Sequence, residues 1–124
     1  DKVYRVAKWG FGDPRTFIST YSEIQQNLIP DSDAKYPKDK IGTYSTSVYT
    51  SKSPCNKFIA FLKKRLKKFY PNPVILIGKT SDGLVQRTIE RDSNHPEANH
   101  VDWWIYDGKE DYVTINFSLA EEEE

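Results

Sequence analysis

Two stretches in the first half of the chain alternate with the period of a strand. Lys2–Ala7 sets Arg5 between Val3 and Ala7 on one face. Gly42–Tyr49 sends Tyr44, Thr46 and Val48 one way and Ser45, Ser47 and Tyr49 the other. The second stretch carries small hydroxyls where a core strand carries Val or Leu. It would bury little apolar area, which predicts a strand that lines something rather than one that fills a core. Between them, Asp13-Pro14 is an N-cap followed by proline at a position that needs no backbone donor. Phe17, Ile18, Tyr21, Ile24 and Leu28 then recur at helical spacing, predicting an amphipathic helix that stops before Pro30.

Residues 30–42 are rich in Pro, Asp, Ser and Gly and read as a long connection with the length of a functional loop. Ser53-Pro54 repeats the cap-and-proline device, and Cys55, Phe58, Ile59, Leu62, Leu66 and Phe69 draw the stripe of a second helix, ended by Pro71 and Pro73. Val74–Ile77 is a continuous apolar run of central-strand type. Ser81-Asp82-Gly83 turns the chain into a strand at Leu84–Glu90. After a polar loop, Val101–Tyr106 and Tyr112–Leu119 read as two more strands joined at Asp107-Gly108, with Val113, Ile115, Phe117 and Leu119 alternating. The order predicts an α+β fold: two amphipathic helices and a largely antiparallel array, compatible with a core split into two sheets.

The 124 residues suit one domain of the usual size, about 100–200 residues. Eight Tyr, six Phe and three Trp beside a modest hydrophobic content predict a compact unit with half-buried rings. Acidic and basic residues balance at 18 each, so net charge points to no class of partner. Charge is unevenly placed, with a basic cluster over residues 63–68 and an acidic tail over residues 120–124. No apolar run approaches the roughly 18 residues of a membrane span, and no secretory signal opens the segment. Methionine is missing even at position 1, which fits a processed protein or a domain excised from a longer chain, such as a secreted toxin domain acting in a target cytoplasm. With Cys55 alone, neither an internal disulfide nor a metal site built on several thiolates can form.

Several clusters have both a plain and a functional reading. Lys63, Lys64, Arg65, Lys67 and Lys68 complement the negative end of a helix dipole, or they grip phosphates. His95 and His100 bracket Pro96–Asn99 and are either loop residues or an acid–base pair. Trp103 and Trp104 must face opposite sides of a strand, so one is expected in the core and the other toward a cleft, a partner or a second sheet.

An N-terminal strand arginine followed by a Ser-Thr-Ser strand resembles the mono-ADP-ribosyltransferase toxin family. The resemblance implies cleavage of NAD at the nicotinamide–ribose bond and transfer of ADP-ribose to an unknown protein or nucleic-acid acceptor, with no metal. Arg5 would hold the dinucleotide phosphates. Ser45, Thr46 and Ser47 would shape the nicotinamide pocket, with Ser45 orienting the catalytic carboxylate, and Tyr44 or Tyr49 would stack on nicotinamide. The family's acidic motif, Glu-x-Glu or Gln-x-Glu at the head of a strand, is absent. Asp102 stands at the matching place one methylene shorter, and Glu97 on the preceding loop is the other candidate. Arg5 and Ser45 would then open into one cleft.

Two other classes remain open. A small metal-independent ribonuclease toxin would use His95 or His100 as base, Arg87 and Arg91 on phosphate, and the basic helix on RNA. A non-enzymatic immunity or binding protein would present exposed aromatic and acidic residues to a cognate toxin.

Overall fold

The computed structural model describes residues 2–120, so the acidic run Glu121–Glu124 lies outside the described residues. Six strands form one sheet: β1 (Val3–Ala7), β2 (Thr46–Tyr49), β3 (Val74–Gly78), β4 (Gly83–Arg87), β5 (His100–Ile105) and β6 (Phe117–Leu119). Their order is β4-β5-β2-β1-β3-β6, and every neighbouring pair is antiparallel. Helices α1 (Thr20–Gln25), α2 (Ser53–Arg65), α3 (Thr88–Arg91) and α4 (Glu110–Val113) interrupt the strands. The α+β class is as expected. The sheet is continuous, but its halves β4-β5-β2 and β1-β3-β6 meet at one residue pair, Tyr4 opposite Tyr49. The flanking seams β1–β3 and β2–β5 hold five and four pairs.

Four elements differ from the reading of the pattern, the simplest being the expected strand Leu84–Glu90, which ends at Arg87 where α3 begins. The first helix is broken in two. Asp13 caps a 3-10 turn over Pro14–Phe17, then Ile18 and Ser19 are extended and Ser19 caps α1 with its own hydroxyl, which accepts from the Ser22 N–H at 3.1 Å. A serine side chain that bonds its neighbouring backbone stops one helix and starts the next. The hydroxyl-bearing strand begins late, because Ile41–Tyr44 is a 3-10 turn and pairing starts at Thr46. The expected strand at Tyr112–Leu119 is α4, a 3-10 turn over Thr114–Asn116 and only three residues of β6. Val113 and Phe117 are buried there while Ile115 is exposed. Two apolar residues four apart satisfy a helical face as well as an alternating strand.

The larger core packs Val3, Ala7, Phe17, Val48, Leu76, Val101 and Trp103 against Val113 and Phe117. Trp103 sits at its centre, stacked on Phe117 at 5.9 Å and edge-on to Phe17 at 6.0 Å, and its indole N–H donates to Ser81 O. Trp104 points away, half-buried, and donates to Ile41 O at 3.0 Å, so the two Trp face opposite sides as expected. The second core joins Val6, Cys55, Leu62 and Tyr70. Of the predicted α2 stripe only Cys55 and Leu62 are fully buried, whereas Phe58 is 38% and Phe69 is 69% exposed. The basic side chains of residues 63–68 lie on the exposed end of this helix and just beyond it.

Candidate functional site

Antiparallel pairing brings Ser47 opposite Asp102 and Tyr49 opposite His100 across β2 and β5. Directly opposed side chains lie close enough to interact, and here they form a hydrogen-bonded network. The Asp102 carboxylate is 2% exposed and takes donors on both oxygens. Ser45 Oγ lies 2.7 Å from Oδ1, and Thr88 Oγ1 lies 3.0 Å from Oδ2, to which Arg91 also donates. Such saturation is what a buried carboxylate needs, since a charge removed from water must be compensated by donors. The short α3 delivers both Thr88 and Arg91. Gly42 makes room for the guanidinium, because a Cβ there would sit 3.0 Å from an Arg91 terminal nitrogen.

His100 stands between the two strands. Its Nδ1 contacts Thr88 Oγ1, and its Nε2 lies 2.8 Å from Ser47 Oγ. Burial holds its pKa below the ordinary histidine value. The Asp102 charge opposes this, and His95, Arg91 and Arg5 reinforce it. The His95 ring is 4.8 Å away, and Tyr49 meets His100 edge-on at 5.2 Å.

Arg5 anchors the neighbouring strand. Its Nε donates to Thr16 O at 3.0 Å and a terminal nitrogen donates to Ser47 O at 2.8 Å. These bonds use two of the five guanidinium donors and stitch β1, the Pro14–Phe17 turn and β2 together where the sheet is joined by a single pair. Burial lowers the Arg5 pKa, and Glu23 works against that. Glu23, on α1, is itself buried, with Lys8 Nζ 2.8 Å from its Oε2 in an ion pair. Burial likewise lowers the Lys8 amine, offset by Glu23.

A cleft runs over these groups as two adjoining cavities. One, of about 850 Å³, is polar and is floored by Asp102, His100, Thr88 and Arg91, with Tyr36, Asp39 and Lys40 of the long loop opposite. The other, of about 610 Å³, has Arg5, Lys8, Glu23 and Tyr49 on one side and an apolar wall from Phe58, Phe61 and Leu66 on the other. Thr20, Lys35, Tyr36 and Ser47 line both.

Of the residues expected at the site, Arg5, Ser47, Tyr49 and Asp102 border this cleft. Ser45 does not share it with Arg5: it is buried behind the floor, bonded to Asp102 and 2.8 Å from Gly42 O. Thr46 turns inward and donates to Phe17 O. Tyr44 packs on Tyr21 at 4.8 Å and donates to Lys38 O, tying down the long loop outside the cleft. Glu97 accepts from the Asn99 N–H and organises its own loop. Arg87 is exposed on the edge strand β4, and the basic cluster of residues 63–68 borders neither cavity.

Thr88, Glu23, Lys8 and the loop residues Lys35 and Tyr36 were not expected at the site. Glu23 carried no signal, since it stands off the stripe of Phe17, Ile18, Tyr21, Ile24 and Leu28. Among the described residues no group of three or more His, Cys, Asp or Glu side chains is placed to hold a metal, and no helix is long and apolar enough to cross a membrane. No family model, curated protein or solved structure matches this chain.

Proposed function

We propose that this chain binds NAD in the double cleft, breaks its nicotinamide–ribose bond and transfers the ADP-ribose. The observation that carries the reading is the single cleft fronted by β1, β2 and β5. Arg5 borders one end, Asp102 the other, and Ser47 stands at the junction. A dinucleotide is an elongated ligand with a dianionic centre and two aromatic bases. The five cations bordering the cleft, Arg5, Lys8, Lys35, Lys40 and Arg91, suit the pyrophosphate. Tyr49 and Tyr36 offer ring faces for the bases.

Departure of nicotinamide leaves a ribose cation, which carboxylates stabilise. Asp102 has its oxygens committed to three donors, so its field acts through the floor of the cleft. Glu23 borders the Arg5 end with its Oε2 held 2.8 Å from Lys8 Nζ, and it is the second acidic group that the reading employs. Incubation of the chain with NAD should release nicotinamide, read by chromatography. Arg5→Ala should lose NAD binding first, and absence of both binding and release in the unmutated chain would end the reading.

A ribonuclease reading has one observation in its favour, the 4.8 Å approach of His95 to His100 beside Arg91 in the polar cavity. Metal-free cleavage of a single-stranded RNA, lost in His95→Gln, would select it over the first.

A further inference from the structure

Proton counting in the network around His100 gives it a direction. A carboxylate only accepts, so the single Thr88 hydroxyl proton that points to Asp102 Oδ2 cannot also serve His100. With the Thr88 hydroxyl donating to Asp102, the His100 Nδ1 facing Thr88 Oγ1 is the nitrogen that carries the ring proton and donates it, a tautomer assigned from the network. In the neutral ring Nε2 is left as an acceptor, and the only hydrogen it is offered here is that of Ser47 Oγ, 2.8 Å away. The chain therefore reads Ser47, His100, Thr88, Asp102: a hydroxyl on a base, the base oriented by a hydroxyl, and that hydroxyl anchored on a buried carboxylate. A nucleophile within hydrogen-bond reach of a base that is itself oriented is the signature of an activated hydroxyl.

We infer that Ser47 is the nucleophile of this site and the acceptor of ADP-ribose, so that the chain glycosylates itself. This rests on the NAD reading above. Ser47 Oγ forms a bond to C1′ of the nicotinamide-bearing ribose as the C1′–N bond breaks. Nicotinamide leaves with the bonding electron pair as a neutral base, and the Ser47 proton passes to His100 Nε2 and then to solvent. The products are an O-glycosidic ADP-ribose on Ser47, nicotinamide and one proton. Positive charge builds at C1′ in this step, so no oxyanion site is required.

Position and protonation agree. Ser47 lines both cavities, between the Arg5 side that takes the pyrophosphate and the His100 side where the nicotinamide ribose would lie. The Arg5 bond to Ser47 O fixes the backbone behind the nucleophile. His100 is kept neutral near pH 7 by burial and by Arg91, Arg5 and His95, against the pull of Asp102, while Tyr49 packs on its ring.

The test is peptide mapping by mass spectrometry after incubating the full chain with NAD, run beside nicotinamide release. One ADP-ribose on Ser47, stable at neutral pH because an acetal does not hydrolyse there, is the expected result. Ser47→Ala should carry no adduct, and His100→Gln should form it at least about 100-fold more slowly, the range for loss of a general base. Nicotinamide release by the unmutated chain with Ser47 unmodified overturns this inference and leaves the NAD reading standing. No release at all overturns both. Because the map is made on the unmutated chain, a variant that fails to fold does not decide the outcome.

Discussion

The seam between β1 and β3 and the seam between β2 and β5 have the same antiparallel geometry and opposite chemistry. Along β1–β3 the facing pairs include Val6 with Ile75 and Ala7 with Val74, and the seam is held by apolar contact. Along β2–β5, Ser47 faces Asp102 and Tyr49 faces His100, so the same spacing produces a hydrogen-bonded relay. Only alternate positions of β2 and β5 take part. Thr46, Val48, Val101 and Trp103 face the other way, with Val48, Val101 and Trp103 joining the larger core and Thr46 buried beside it. A strand pair can therefore support a core on one face and carry chemistry on the other, and each face can be broken separately.

The deepest break is expected on the core face. Trp103→Ala should cost about 3–5 kcal/mol in denaturant unfolding, because it empties the centre of the larger core. Trp104→Ala, a residue away but half-buried, should cost clearly less, and equal losses would dissolve the contrast between the faces. Next is Asp102→Asn. Removing one partner of a buried ion pair costs about 3–5 kcal/mol, and because Arg91 is partly exposed the low end applies. Unlike Trp103→Ala, it should also stop nicotinamide release in the fraction that remains folded. Leu62→Ala should fall near the low end of the range of about 2–5 kcal/mol, since Leu62 borders the second cavity and part of its surroundings is already open. Replacing Lys63, Lys64 and Lys67 together by Gln should leave the unfolding midpoint nearly unchanged.

A smaller effect isolates the relay by pH. The folded His100 pKa lies below its unfolded value near 6.5, so the unfolded chain binds this proton more readily. Its contribution to stability is present above pH 6.5 and is lost as pH falls from there toward the lowered folded value. Unfolding curves at pH 7 and pH 5.5 should converge between the native chain and His100→Gln as the pH drops, and parallel losses would show that the ring does not titrate with folding. The mildest effect is chemical. Burial pushes the Cys55 thiol up to about 12, so alkylating reagents should leave it untouched until the chain unfolds.

Local pattern was enough for much of the frame. The alternation of Val3–Ala7, the run Val74–Ile77 and the cap at Asp13-Pro14 are structural facts of their segments, and the antiparallel α+β character follows from them. At the site, Arg5, Ser47, Tyr49 and Asp102 are legible as residue types with a chemistry at strand spacing, and His100 as a loop residue or half of an acid–base pair. Two of the departures from the pattern show why the rest was not legible. The four-residue spacing of Val113 and Phe117 serves a helix turn as well as a strand, and only the pairing of Phe117, Ser118 and Leu119 with Gly78, Ile77 and Leu76 makes a short strand of the second half. Ser19 is an ordinary polar residue in a helical rhythm until its hydroxyl bonds the Ser22 N–H and divides the helix.

What the sequence determined by itself is which residues alternate, where glycine, proline and serine punctuate, and which side chains can donate or accept. What only the tertiary structure decided is register and partnership. Which of Ser45 and Ser47 fronts the cleft depends on where β2 begins its pairing with β5. Glu23 is a helix-surface acid in the sequence, and it becomes a buried cleft carboxylate because α1 lays it against Lys8 and near Arg5. Thr88 becomes the link between His100 and Asp102 because β4 ends and α3 begins at that residue. The physical reason is common to all three. Hydrogen bonds and ion pairs act over about 3 Å, whereas Ser45 and Asp102, which make one at the site, lie 57 positions apart in the chain, and only the packed sheet brings them within that range.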